Sequence, residues 1–182
     1  MSRQSVFLVG PMGAGKTTIG KKLAEHCGLE FVDSDHEIEV RTGVDIPFIF
    51  EKEGEEGFRR REQAVIDELT QRGGIVLATG GGAVLLPENR RCLGGRGHVV
   101  YLHASLAQQL ARTERSDNRP LLQGGDRHEI LTRLFEHRDP LYREIADLVL
   151  ETDGKNARQL ARDIEDHLHA HGGSAFGARH AG

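Results

Sequence analysis

Apolar residues in this chain fall into short runs, with stretches of helical spacing between them. Val6 to Val9 is a run of four closed by Gly10, which has the length and flanks of a buried parallel strand. Ile19, Leu23 and Ala24 recur at helical spacing between Lys16 and Cys27, and Gly28 is placed to stop that helix. "LEFVDSD" predicts a second strand, ending in carboxylates. "HEIEVRTG" and "IPFIFEKEGEEGFRRREQAVIDELTQRGG" predict helices, with Gly43, Gly54 and Gly73 as breaks. "GIVLATGGG" reads as a third strand running into a glycine turn. In "PENRRCLGG" the leading proline suits a first helical turn. "HVVYLHA" is a fourth strand, and "SLAQQLARTE" a helix with Ser105 as its N-cap. A helix from about Arg127 to Ala146, a fifth strand in "ADLVLET" and a last helix from Ala157 to His169 complete the order.

Strands that alternate with helices predict an α/β fold, a parallel sheet with helices on both faces. Ligands of such sheets bind beyond the carboxyl ends of the strands. Three strands here end in chemically loaded sequence: Gly10–Thr18, Asp33–Asp35 and Gly80–Gly82. The stretch "RSDNRPLLQGGDRHE" is polar, has little to bury, and reads as a mobile loop. The tail "GGSAFGARHAG", residues 172–182, is expected to be disordered.

Bulk composition narrows the class. At 182 residues the chain has the length of one domain, which would bury about 70% of its unfolded surface. Charged residues are 29% and the net charge is −4, which disfavours binding of long nucleic acid through a surface field. Cys27 and Cys92 lack CxxC spacing, which argues for reduced thiols and a cytoplasmic protein. The N-terminus has too short an apolar run for a signal peptide, and no run approaches the ~18 residues of a membrane span.

Gly10, Gly15, Lys16 and Thr17 fit G-x-x-x-x-G-K-[ST], after a strand and before a helix. Glycines let the backbone turn its N–H groups inward, and the helix N-terminus adds its dipole. Lys16 reaches the β- and γ-phosphates as a point charge, and the Thr17 hydroxyl suits Mg²⁺. Asp33 and Asp35 lie two apart. If the strand continues through them, both point to one face, where one could hold Mg²⁺ through a water or accept a bond from an attacking hydroxyl. Otherwise one of them, or Ser34, merely caps the next helix. Arg59, Arg60 and Arg61 point about 100° apart on a helix, so at most one or two face a site. Spacing does not say which. "ATGGG" is either a tight turn or a close approach of backbone to ligand. Arg115 and Arg119 sit on the polar loop, where an arginine could close over phosphates or simply face solvent. His167, His169 and His171 read as a solvated helix end.

Taken together, "GPMGAGKTTIG", "DSDHEIE", "FEKEGEEGFRRRE", "LATGGGAV", "RPLL" and "HRDPLYRE" resemble the shikimate kinase family in order and spacing, from about Ser5 to Leu168. The resemblance implies a three-layer P-loop kinase fold, with a five-stranded parallel sheet of order 2-3-1-4-5. It implies one kinase domain over residues 1–171, with a lid at about 112–126 and a substrate-binding helical segment at about 34–61. The implied reaction is transfer of the γ-phosphoryl group of ATP to the 3-hydroxyl of shikimate, in aromatic amino acid biosynthesis. ATP would be held by Gly13, Ala14, Gly15, Lys16, Thr17 and Thr18, with Arg112 against adenine and Lys155 beside the nucleotide. One Mg²⁺ per subunit would be bound by Thr17 and, through water, by Asp33. Shikimate would contact Asp35, the backbone of Gly80, Gly81 and Gly82, and an arginine clamp of Arg59 and Arg138. Arg119 would be the lid arginine on the phosphates, completing a catalytic set with Lys16 and Asp35. A monomer is expected, with no nucleic acid or membrane partner. The alternative within the fold is another small-metabolite kinase such as a gluconate kinase. From a different class, a GTPase-type switch lacks its N-K-x-D segment here.

Overall fold

The apolar runs become the middle of one parallel sheet. A computed structural model describes residues 4–114, 122 and 125–172. Its elements, in chain order, are β1 (Val6–Val9), α1 (Lys16–Cys27), β2 (Glu30–Asp33), α2 (Ser34–Thr42), α3 (Ile46–Leu69), β3 (Ile75–Ala78), α4 (Pro87–Arg96), β4 (His98–His103), α5 (Leu106–Thr113), α6 (Arg127–Ile145), β5 (Leu148–Glu151) and α7 (Ala157–Gly172). The sheet order is β2-β3-β1-β4-β5, as the sequence implied. All four pairings are parallel; Val6 sits beside Val76 and His98, and Asp33 beside Ala78.

Alternation along the strands splits the core into two layers. Phe7, Val9, Leu77, Val99 and Tyr101 face α3, α4 and α6 through Phe58, Ile66, Leu93 and Tyr142. Val6, Leu8, Val76, Val100 and Leu102 face α1 and α7 through Ile19, Leu23, Leu160 and Ile164. The helices therefore cover both faces. Among the described residues, no helix is long and apolar enough to cross a membrane.

Several boundaries differ from the sequence reading, and each has a local cause. The second strand ends at Asp33 rather than Asp35, because Asp33 caps α2: its Oδ1 accepts from the Asp35 and His36 amides at 2.9 and 3.2 Å. The two carboxylates therefore do not share a face by strand alternation. Gly54 is non-helical, as expected of a break, yet the helical direction resumes after it and α3 runs on to Leu69. Pro140 lies inside α6. The last helix extends to Gly172, and its histidines are not all solvated. His167 is half-buried against the His98 ring at 5.3 Å, while the exposed His171 stacks on it at 4.2 Å. Most of the segment 112–126 and residues 173–182 of the tail lie outside the described residues.

Candidate functional site

The chain leaves β1 through Gly10, whose φ of 149° suits glycine and whose notional Cβ would stand 2.5 Å from the Leu102 carbonyl oxygen. The loop then wraps to Gly15, the left-handed N-cap of α1. No side chain caps α1 and its first turn holds no acid, so its N-terminal amides and positive dipole end stay available to an anion. The Lys16 ammonium folds over the loop, donating to the carbonyls of Gly10 at 2.6 Å and Pro11 at 2.9 Å. Ala14 is different: its methyl is buried in the core beside Ile19, and its amide donates to the Pro11 carbonyl at 3.3 Å.

Thr17 and Asp33 meet at the foot of this loop. The Thr17 hydroxyl donates to Asp33 Oδ2 at 3.0 Å, while Oδ1 of the same carboxylate caps α2. The capping reading of Asp33 holds, through one oxygen, and the other oxygen faces the phosphate loop at Thr17. A cavity of about 390 Å³ opens here, bounded by Gly13, Gly15, Lys16, Thr17 and Thr18 on one side. Asp33, Asp35, Gly80 and Gly81 also bound it, and Arg112 lines it beside Gly13 and Gly15.

The glycines after β3 form the opposite wall. Each one backs onto a different charged side chain. A Cβ at Gly80 would lie 2.8 Å from Asp35 Oδ1; at Gly81, 3.4 Å from Arg138 Nη1; at Gly82, 2.6 Å from Arg59 Cζ. None of these glycines has a left-handed φ, so at Gly80 and Gly82 it is the close approach of side chains that crowds a Cβ, whereas Gly81 meets Arg138 at ordinary contact distance. Ser34 Oγ holds the turn by accepting from the Gly80 amide at 3.3 Å. Of the consecutive arginines only Arg59 is buried; Arg60 and Arg61 pair with Glu56 and Glu53 on the surface.

Glu62, which sequence reasoning passed over, is fully buried and bonds Arg59 Nη1 at 2.9 Å. Burial pushes its carboxyl above the usual carboxylate range, opposed first by Arg59 and more weakly by Arg138. The available signal was its i,i+3 spacing from Arg59. Tyr142 was also missed. It is buried, donates to the Gly81 carbonyl at 2.5 Å, and lies four residues beyond Arg138 on α6. Arg59 and Arg138 are themselves 9% and 5% exposed, and the Nε of each has no hydrogen-bond partner among the described residues. Arg59 already pairs with Glu62 and Glu55, whereas Arg138 has no ion pair among the described residues, so the two buried guanidinium groups together leave room for a further anion.

The remaining predicted residues sort differently. Arg112 lies across the phosphate loop, its Nη1 3.1 Å from a notional Cβ on Gly15. Lys155 does not line the cavity and pairs with Asp163 on the surface at 3.2 Å. Arg119 lies outside the described residues.

Comparison with known proteins agrees with this geometry. A sequence model described as "Shikimate kinase" matches residues 12–169. A shikimate kinase of Halorhodospira halophila is 61% identical over 163 residues, 90% of this chain and 92% of that one. One from Pseudomonas syringae pv. tomato is 58% identical over 88% of this chain and 94% of its own. The structure of an Acinetobacter baumannii shikimate kinase in complex with shikimate superimposes with a TM-score of 0.90 at 54% identity, covering 92% of this chain and 93% of that one. The chain belongs to the shikimate kinase family.

Proposed function

We propose that this site transfers the γ-phosphoryl group of ATP to the 3-hydroxyl of shikimate, giving shikimate 3-phosphate and ADP for aromatic amino acid biosynthesis. One observation carries the reading: Asp35, Arg138 and Arg59 back onto three successive glycines at the rim of the phosphate loop. A ligand seated there meets two guanidinium groups for a carboxylate and one carboxylate for hydroxyls, within reach of a nucleotide's terminal phosphate.

Phosphoryl transfer asks for positioning and charge neutralisation more than for covalent chemistry. The amides from Gly13 to Thr18 and the Lys16 ammonium hold the phosphates. Arg59 and Arg138 fork the shikimate carboxylate through their Nη groups, which face the glycine turn. Asp35 accepts from the ring hydroxyls and orients the attacker. Glu62 sets the Arg59 fork. Arg119 contacts the phosphates, and Arg112 contacts the nucleotide.

The Thr17 hydroxyl and Asp33 carboxylate are hard oxygen donors 3.0 Å apart, a set that suits one Mg²⁺ ion, with Asp33 acting through water. When bound, that ion neutralises charge on the β- and γ-phosphates.

The test is ADP release measured against a panel of hydroxy-acids with and without Mg²⁺. Turnover is expected only with shikimate and Mg²⁺ together. ATP hydrolysis that ignores shikimate, or equal turnover of gluconate, would overturn the assignment.

A further inference from the structure

We infer that Tyr142 is a positioning residue for the acid-binding half of the site, tying the Gly81 carbonyl to α6, the helix that carries Arg138. This inference rests on the function proposed above. Three observations lead to it.

The first is where the carbonyls of the glycine turn go. The Gly80 and Gly82 carbonyls accept from Ala83 and Leu85 within the turn, at 3.0 and 3.1 Å. The Gly81 carbonyl instead accepts from Tyr142, 61 positions along the chain, at 2.5 Å. A turn of three glycines has no side chains with which to hold its place. This bond ties it to α6, the helix that presents Arg138.

The second is the proton inventory of the phenol. Tyr142 has one proton, and it is committed to the Gly81 carbonyl. Arg138 lies one helical turn back on the same helix, so the donor fixes the turn against the element that carries the arginine. Burial pushes the Tyr142 hydroxyl up to about 12, so the proton is present throughout the working range.

The third is that the ring cannot swing away. Tyr142 is 1% exposed and packs on Tyr101 with centroids 4.9 Å apart. The Tyr101 hydroxyl is anchored in turn to Asp139 Oδ1 at 2.5 Å. The hydroxyl therefore sits in a rigid frame, and a misplacement of the arginine would have to move the core.

Tyr142→Phe keeps the ring and removes only the hydroxyl. The expected result is a KM for shikimate raised about ten-fold, the size of leaving one buried carbonyl without its donor, with the KM for ATP unchanged. In a cycle with the carboxamide of shikimate, the preference for carboxylate over carboxamide should shrink in Tyr142→Phe. Loss of packing alone would not move that ratio. Tyr101→Phe, which removes the neighbouring hydroxyl bond, should leave the shikimate KM unchanged. An unaltered shikimate KM in Tyr142→Phe, equal rises in both KM values, or an equal rise in Tyr101→Phe would each overturn the inference. These results leave the function standing if the wild-type enzyme depends on shikimate, whereas a shikimate-independent wild type takes both down.

Discussion

The two halves of the site are built in opposite ways. The phosphate half is one contiguous stretch, Gly10 to Thr18, and works mostly through backbone: an uncapped helix start, turned amides and a lysine folded over its own loop. The acid half is collected from α2, α3, the turn after β3, and α6, and works through side chains: Asp35, Arg59, Glu62 and Arg138 against bare glycines. A contiguous backbone site is set once its strand and helix form. A collected site also depends on how α3 and α6 pack against the sheet, so Glu62 and the Gly80–Gly82 turn matter there as much as the arginines. The electrostatics differ in the same way. The phosphate half leaves its positive end open to water, while the acid half holds two arginines against one buried glutamate, an imbalance that the proposed carboxylate substrate would offset.

The sharpest way to break the phosphate half alone is Lys16→Met. The lysine is a solvent-accessible part of the loop rather than of the core, so the variant should fold. Its kcat should fall by about 10²–10³, the usual cost of removing one preorganised charge from a transition state. A kcat within a few-fold of wild type would remove Lys16 from the chemistry. The acid half can be broken separately by Gly82→Ala. The new methyl would stand 2.5 Å from Arg59 Nη1 and 2.6 Å from Cζ, so the guanidinium must leave its bonds to Glu62 and Glu55. A shikimate KM raised about ten-fold is expected, with ATP binding kept, against a control in Gly95→Ala, where nothing lies within 4 Å. If both KM values rose together in Gly82→Ala, the two halves would not be separable.

This difference in construction also explains what could be read from the sequence. The phosphate loop was legible because its requirements are local: a strand, glycines at fixed spacing, a lysine and a helix. The helices on both faces followed from the alternation of apolar runs with helical stretches, whereas the strand order came only from a family pattern spread along the chain. The choice of Arg59 among three consecutive arginines was not legible from spacing, because burial at that helix position is decided by the sheet and by Glu62. Asp33 and Asp35 were brought together by a cap rather than a strand, since the Asp33 carboxylate competes with strand geometry for the next amides. Tyr142 carried no signal of its own. A tyrosine four residues past an arginine on a helix is common, and only the carbonyl of Gly81, across the core, distinguishes it.

The smallest expected effect separates the whole site from the opposite edge of the sheet. Both halves lie at the carboxyl ends of the parallel strands, whereas His98 opens β4 at the other end, against His167. Its Nε2 is buried without a hydrogen-bond partner among the described residues. Burial holds the His98 imidazole below its ordinary value, with His167 and His171 adding to the depression and Asp147 opposing it. Burial and then His171 hold His167 below its ordinary value too, again against Asp147. A histidine with a depressed folded pKa binds its proton more readily once unfolded. The stability tied to these neutral rings is therefore complete above the unfolded value of about 6.5 and is lost as pH falls below it. Carboxylates also titrate on acidification, so the informative quantity is a difference between proteins. His98→Gln should lose less Tm than wild type between pH 7 and pH 5, while its KM values for ATP and shikimate at pH 7 match wild type. Tm profiles that superimpose would mean that the ring is protonated in the fold at no cost. A shift in either KM would mean that the two edges of the sheet are coupled, and that the collected half of the site extends further from the strand ends than its contacts show.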